Sequence, residues 1–287
     1  MPQPLDPPVW DCHVHVFDAA EPVIPGHYEV ATCDLQMLQA VASEHHVQRF
    51  VLVQPSVYGS HNSLLLETLA RAGGQHRGVI VAPLGLSMSE IDRMHALGVR
   101  GVRVNLVSPV GNQWRAIEPL VPHLRTLGWH VEWYVQPQHL DTVIALHAQW
   151  QVPCVLAHLA GLTPKDLGSA SVWRRLEQLA RQQAWIKLSA LYRLDSSAPY
   201  RDLDPLILRL ADCFEDRLVW GSDWPHTSLS KDRKPAYTEV WDSLQRVLPT
   251  KVQAILTTHP LALYSAPAHS STPTKRDTPC KDATSSR

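Results

Sequence analysis

Paired cysteines are missing from this chain. Its five cysteines, Cys12, Cys33, Cys154, Cys213 and Cys280, are scattered, odd in number and never spaced Cys-x-x-Cys. That excludes a zinc ribbon or a disulfide framework and suits a reducing compartment. Net charge is missing as well: 26 Lys and Arg against 27 Asp and Glu leave −1. Without a basic face there is no means of holding nucleic acid or an anionic membrane. No run approaches the roughly 18 uninterrupted apolar residues that span a bilayer. The N-terminal segment shows neither the basic stretch nor the apolar core of a secretory signal. These absences predict a cytoplasmic protein whose partner is a small-molecule substrate. They leave its oligomeric state unread.

What is present is a regular alternation. With 287 residues, 45% of them hydrophobic, the chain can bury one large core. Eight apolar, β-branched-rich runs read as strands: Val9–Phe17, Arg49–Pro55, Gly78–Pro83, Val99–Val107, His130–Gln136, Cys154–Leu159, Ala184–Leu191 and Arg217–Asp223. Segments of helical periodicity separate them, with N-caps expected at Asp34, Ser60 and Ser87 and left-handed C-caps at Gly98 and Gly128. Near-continuous apolar strands alternating with helices predict a parallel sheet covered by helices, and eight repeats predict closure into an α/β (β/α)₈ TIM barrel over residues 1–264. Residues 265–287, rich in Ser, Thr, Pro and Lys, bury too little to offset ordering and read as a disordered tail.

The ends of these runs carry the chemistry. Side chains i and i+2 share a strand face, so His13 and His15 of Asp11-Cys12-His13-Val14-His15 are expected to point together, with Asp11. Asp223 and His226 close the last run, in Trp220-Gly221-Ser222-Asp223-Trp224-Pro225-His226. First and last strands are neighbours in a barrel, and catalysis sits at the strands' C-terminal ends. Ser56, Arg103, Asn105, Tyr134, His158, Lys187, Ser189 and Arg193 fall at or near the ends of the runs between. So many polar groups there are costly to bury without a use.

The same residues resemble the amidohydrolase-related (amidohydrolase 2) family. The resemblance rests on Asp-Cys-His-x-His-x-Phe, on Val53-Gln54-Pro55-Ser56-Val57-Tyr58-Gly59 with Asn62, on Gly101-Val102-Arg103-Val104-Asn105, and on the Trp220–His226 run. It extends from about Trp10 to Tyr264 and is strongest to the 2-pyrone-4,6-dicarboxylate lactonase branch. It implies a deformed TIM barrel that hydrolyses bonds at the strand mouths, here those of a small, carboxylated lactone. Asp223 would take the proton of the attacking water while His13, His15 and His158 polarise the carbonyl. Ser56, Arg103, Tyr134, Arg193 and His226 would bind substrate, the arginines through its carboxylate. Metal-dependent members add a strand-four or strand-five His or modified Lys; this chain has Tyr134 at the strand-five position, a poor ligand for a hydrolytic metal. The depleted set favours catalysis with no cofactor. One Zn²⁺ or Mn²⁺ on His13, His15 and Asp223 is the alternative, in a metal-dependent hydrolase or non-oxidative decarboxylase on the same barrel. The branch also carries an Arg shortly after the strand-four Asn, where this chain reads Leu106-Val107-Ser108-Pro109-Val110-Gly111; one carboxylate clamp is therefore expected to be absent.

Plainer roles compete. Asp223 is also placed to cap a helix, and Arg103 and Arg193 to form structural ion pairs. Lys187 faces inward or outward with equal ease on this reading. Cys12 is expected to face away from the histidines into packing. A barrel that merely binds a ligand is a third class, against which the survival of His13, His15 and Asp223 together weighs.

Overall fold

The computed structural model describes residues 7–25, 28, 30–107, 114–227 and 229–265. Eight strands run β1 Val9–Val14, β2 Val47–Val53, β3 Arg77–Ile80, β4 Val99–Asn105, β5 His130–Tyr134, β6 Cys154–Leu156, β7 Trp185–Ser189 and β8 Leu218–Gly221. They pair in parallel and in sequence order. Between and after them lie α1 Leu35–Ala42, α2 Ser63–Arg71, α3 Met88–Leu97, α4 Val121–Leu127, α5 Leu140–Trp150, α6 Ala170–Arg181, α7 Asp204–Phe214, α8 Tyr237–Val247, α9 Val252–Leu256 and α10 Thr258–Tyr264. This is the expected TIM barrel. Among the described residues no helix is long and apolar enough to cross a membrane. The predicted tail from 266 onward lies outside the described residues.

Local chemistry sets most boundaries. The Asp34 side chain accepts from Met37 N, and Ser87 with Glu90 forms a reciprocal capping box. Gly98 and Gly128 end α3 and α4 in the left-handed conformation. Ser60 does not cap α2, which begins only at Ser63. Asn62 precedes it, and its side chain is engaged instead with both backbone groups of Val81. The helix expected before Leu127 is α-helical only from Val121; two 3₁₀ turns, Trp114–Ala116 and Glu118–Leu120, precede it, since Pro119 and Pro122 remove two amide donors there. The sequence reading has no counterpart to α9 and α10, whose 5 and 7 residues are too short to show a period.

Two apolar layers result. The larger lies between the strands and the surrounding helices. A smaller one fills the barrel's interior, where Cys12, Val51, Val53, Val79, Val155 and Val219 pack with Trp10 and with Tyr264 of α10. Tyr264 stacks on Trp10, and its carbonyl accepts from Arg77 Nε, so α10 plugs the N-terminal end of the barrel.

The last strand meets the first through backbone. Asp223 N donates to His13 O and His15 N to Trp224 O, both at 2.9 Å. A register shift between Asp11 and Val14 then corrects the expectation that Asp11 shares a face with the histidines. Asp11 turns to the helix side, where it accepts from Ser222 N (2.9 Å) and from the Tyr237 hydroxyl of α8 (3.0 Å). Cys12 enters the barrel interior instead of facing away from it. The bulge thus reverses the alternation before His13 and leaves His13 and His15 inward.

Gly221 permits this closure. A Cβ there would lie 2.5 Å from His13 Cβ and 2.7 Å from His13 N, and backbone cannot retreat from it. Gly221→Ala is expected to cost at least about 1–3 kcal/mol, the usual range for overpacking. A lowered urea midpoint checks this; an unchanged one refutes it.

Candidate active site

The strands deliver four groups to one point. His13 and His15 come from the end of β1 and just beyond, His158 follows β6, and Asp223 follows β8. Asp223 Oδ1 lies 3.5 Å from His13 Nε2, 3.3 Å from His15 Nε2 and 4.0 Å from His158 Nε2. All four residues are buried. Asp223 sits at φ 61° and His158 at φ 54°, within a left-handed run that continues through Leu159, Ala160 and Gly161. Left-handed backbone costs L-residues roughly 1–2 kcal/mol each, and such strain clusters at functional sites. Gly161 is required there, since a Cβ would fall 2.3 Å from Val135 O.

The two oxygens of Asp223 have different surroundings. Oδ2 accepts from the Tyr192 hydroxyl (2.6 Å) and from Arg193 Nε (3.1 Å). Oδ1 is buried without a hydrogen bond. Burial alone would raise this carboxyl; His158, Arg193, His15 and His13 around it outweigh that and hold it well below the usual carboxylate range. The group is therefore ionised at neutral pH. Burial lowers His13 to about 4 and takes His158 well below the ordinary imidazole range. His158 Nδ1 is oriented by Ser189 Oγ at 2.9 Å. His15 Nδ1 lies 2.7 Å from Val53 O. A carbonyl only accepts, so His15 carries a hydrogen on Nδ1, and the neutral ring turns a bare Nε2 toward Asp223.

Above this floor is a cavity of about 150 Å³. His15, His158 and Asp223 line it, and so do Ser56, Arg103, Tyr134 and Arg193; His13, expected to act on the substrate carbonyl, is not among the lining residues. Ser56 Oγ accepts from Asn105 Nδ2 (2.9 Å), Arg103 lies over the Tyr134 ring, and Tyr134 meets His158 edge-on. Arg193 is largely spent inside the protein, on Asp223 and on Thr227 O and Oγ1. Arg103 has Nη1 on Gln54 O and a buried Nε with no partner. His226 is not brought to this cavity. It packs against the edge of Tyr192 and faces a neighbouring cleft.

Directly beneath lie Lys187, whose direction the sequence left open and which turns inward, and Glu132, which the sequence did not point to. Lys187 Nζ is 2.5 Å from Glu132 Oε2, and neither side chain has any exposure. Glu132 stands two residues before Tyr134 on β5, mid-strand among apolar neighbours; Lys187 is similarly placed on β7. Opposite charges inside two buried strands compensate each other, and that is the signal that could have found them. Tyr28 and Thr227 also line the cavity, from loops where no periodicity points.

His13, His15 and Asp223 each offer one ligand atom, all within 4.8 Å of one another. Two imidazoles and a carboxylate match the three protein ligands of a catalytic divalent site, so the residues fit one such ion. A barrel with polar groups converging at the C-terminal ends of its strands, over a buried ionised carboxylate, defines a hydrolase-type scaffold. The chain belongs to the amidohydrolase family (Amidohydro_2), whose profile matches residues 10–264. It is 28% identical over 277 residues to a 2-pyrone-4,6-dicarboxylate hydrolase from Comamonas testosteroni, covering 88% of this chain and 89% of that one. It is 28% identical over 227 residues to a 4-sulfomuconolactone hydrolase from Rhizobium radiobacter, covering 76% of each. A candidate 2-pyrone-4,6-dicarboxylic acid hydrolase from Pseudomonas putida superposes with TM-score 0.79 at 28% identity, covering 91% of this chain and 98% of that one.

Burial of so many ionisable groups sets the stability profile. His13, His76, His130 and His226 are each lowered to about 4, against about 6.5 when unfolded. Between those values the unfolded chain binds more protons, so stability is lost as pH falls through that window. Asp11, which burial raises to about 6, works the other way, as one group against four. The urea midpoint is expected to be lower at pH 5 than at pH 7.5; a midpoint that holds or rises contradicts it.

Proposed function

We propose that this chain is a hydrolase that opens a small lactone bearing one carboxylate, or a comparable anionic group. The observation that carries this is the asymmetry of Asp223, which lines a small cavity: one oxygen is anchored by Tyr192 and Arg193, the other is buried among imidazoles with no hydrogen bond. Two relatives with closely similar chain lengths hydrolyse anionic lactones by name, and this agrees with the cavity's size and cations. Arg103, with donors still available, takes the substrate's anionic group; Arg193 is committed to Asp223. One uncommitted arginine among the described lining residues favours a singly charged ring over a dicarboxylate.

In this reading the water oxygen bonds to the lactone carbonyl carbon and its proton goes to Asp223 Oδ1. Negative charge grows on the carbonyl oxygen and is stabilised from the histidine side of the cavity. The ring carbon–oxygen bond then breaks, and Asp223 returns the proton to the leaving oxygen. The product is a hydroxy or enol acid, whose new carboxyl releases a proton at neutral pH. The donors that anchor Oδ2 also weaken Asp223 as a base, so the unpartnered Oδ1 is the oxygen suited to proton transfer.

A second reading is favoured by the convergence of ligand atoms. A divalent ion would be held by His13, His15 and Asp223, and when bound it supplies Lewis-acid polarisation and a more acidic water.

Proton release with a panel of mono- and dicarboxylated lactones tests the activity, with turnover expected on a monocarboxylate. Asp223→Asn is expected to lower kcat by about 10²–10⁴-fold, the usual range for a lost general base, while substrate still binds by calorimetry. An active Asp223→Asn enzyme defeats the role. Metal content and activity after chelation separate the two forms of the site: activity that survives stoichiometric metal removal supports the first, and activity restored only by Zn²⁺ or Mn²⁺ supports the second.

A further inference from the structure

The buried pair beneath the site has a geometry that structural ion pairing does not require. The Lys187 ammonium has three N–H donors, and three acceptors surround it: Cys12 O at 2.7 Å, Glu132 Oε2 at 2.5 Å and His13 Nδ1 at 3.4 Å. Glu132 Oε1 lies 3.2 Å from the same His13 nitrogen but makes no hydrogen bond to it. An ammonium has no lone pair, so the nitrogen it reaches must accept. A neutral imidazole that accepts at Nδ1 carries its hydrogen on Nε2.

Resting on the reading of this cavity as a hydrolytic site, we infer that Lys187, held by Glu132, is a positioning residue that fixes His13 as the Nε2–H tautomer. His13 then turns its N–H toward Asp223. Its strand partner is opposite: His15 gives its Nδ1 hydrogen to Val53 O and presents a bare Nε2. Two adjacent imidazoles, alike in sequence, thus face the same carboxylate oxygen in opposite states, one through an N–H at 3.5 Å and one through a bare nitrogen at 3.3 Å. A metal would need a lone pair on both rings. Lys187 accordingly withholds one of the three ligands that the site otherwise offers, and its loss returns that ligand.

The tautomer is read directly. In full-length protein labelled with ¹⁵N-histidine, two-bond ¹H–¹⁵N correlations at pH 7.5 distinguish a protonated ring nitrogen from a bare one. The His13 signals are identified by their loss in His13→Gln. The expected result is bare Nδ1 and protonated Nε2 at His13; protonated Nδ1 overturns the inference. The second measurement is Co²⁺ affinity, followed by visible absorption in metal-free protein. Glu132→Gln/Lys187→Met removes both charges together and is expected to bind at least about tenfold tighter than the parent, a gain opposite in sign to the roughly 10–100-fold loss that usually follows when groups behind metal ligands are changed. Equal or weaker binding by a folded double variant overturns the inference, and if that variant does not fold the parent spectrum decides alone. Neither readout uses a substrate, so failure of the lactone panel and failure of this inference are separate results.

Discussion

Two backbone hydrogen bonds, Asp223 N to His13 O and His15 N to Trp224 O, join the end of the chain's last strand to its first. Everything at the mouth depends on them. They set Asp223 within 3.5 Å of both strand-one imidazoles, although some two hundred residues separate these groups along the chain. Only a glycine at position 221 lets the strands approach so closely. The carboxylate accordingly sits in left-handed backbone at the end of the barrel, with strain that the surrounding hydrogen bonds hold in place.

Around that junction the protein has spent its charges in pairs. Asp223 is matched by Arg193, and Glu132 by Lys187, all four wholly or largely buried. Buried pairs seldom add stability over apolar packing of equal volume; what they supply here is orientation. Tyr192 and Arg193 turn Asp223 so that one oxygen is free, Ser189 turns His158, and Val53 O turns His15. The floor of the site is therefore organised before any ligand arrives, which is the condition for electrostatic stabilisation of a developing oxyanion.

The sequence made the barrel legible because eight apolar runs alternate with capped, periodic segments. It made His13, His15, His158 and Asp223 legible because they end those runs. The failures have local causes. A period of two predicts Asp11 beside the histidines, and a single register shift moves it to the helix side. Glu132 was hidden behind Tyr134, the next residue on the same face of β5 and the more conspicuous one. His226 follows Asp223 by three residues, but beyond the strand that spacing no longer reports direction, and it faces the neighbouring cleft. Ser60 is a good cap by composition, yet Asn62 is drawn to the Val81 backbone and the helix starts later.

The helix that plugs the far end of the barrel has a consequence for the charges inside it. Tyr264 stands over the inner apolar layer, its ring 5.9 Å from Lys187 Nζ. Stripped of α10, the barrel would admit solvent from below and hydrate the Lys187–Glu132 pair, so the machinery at one mouth leans on the stopper at the opposite one.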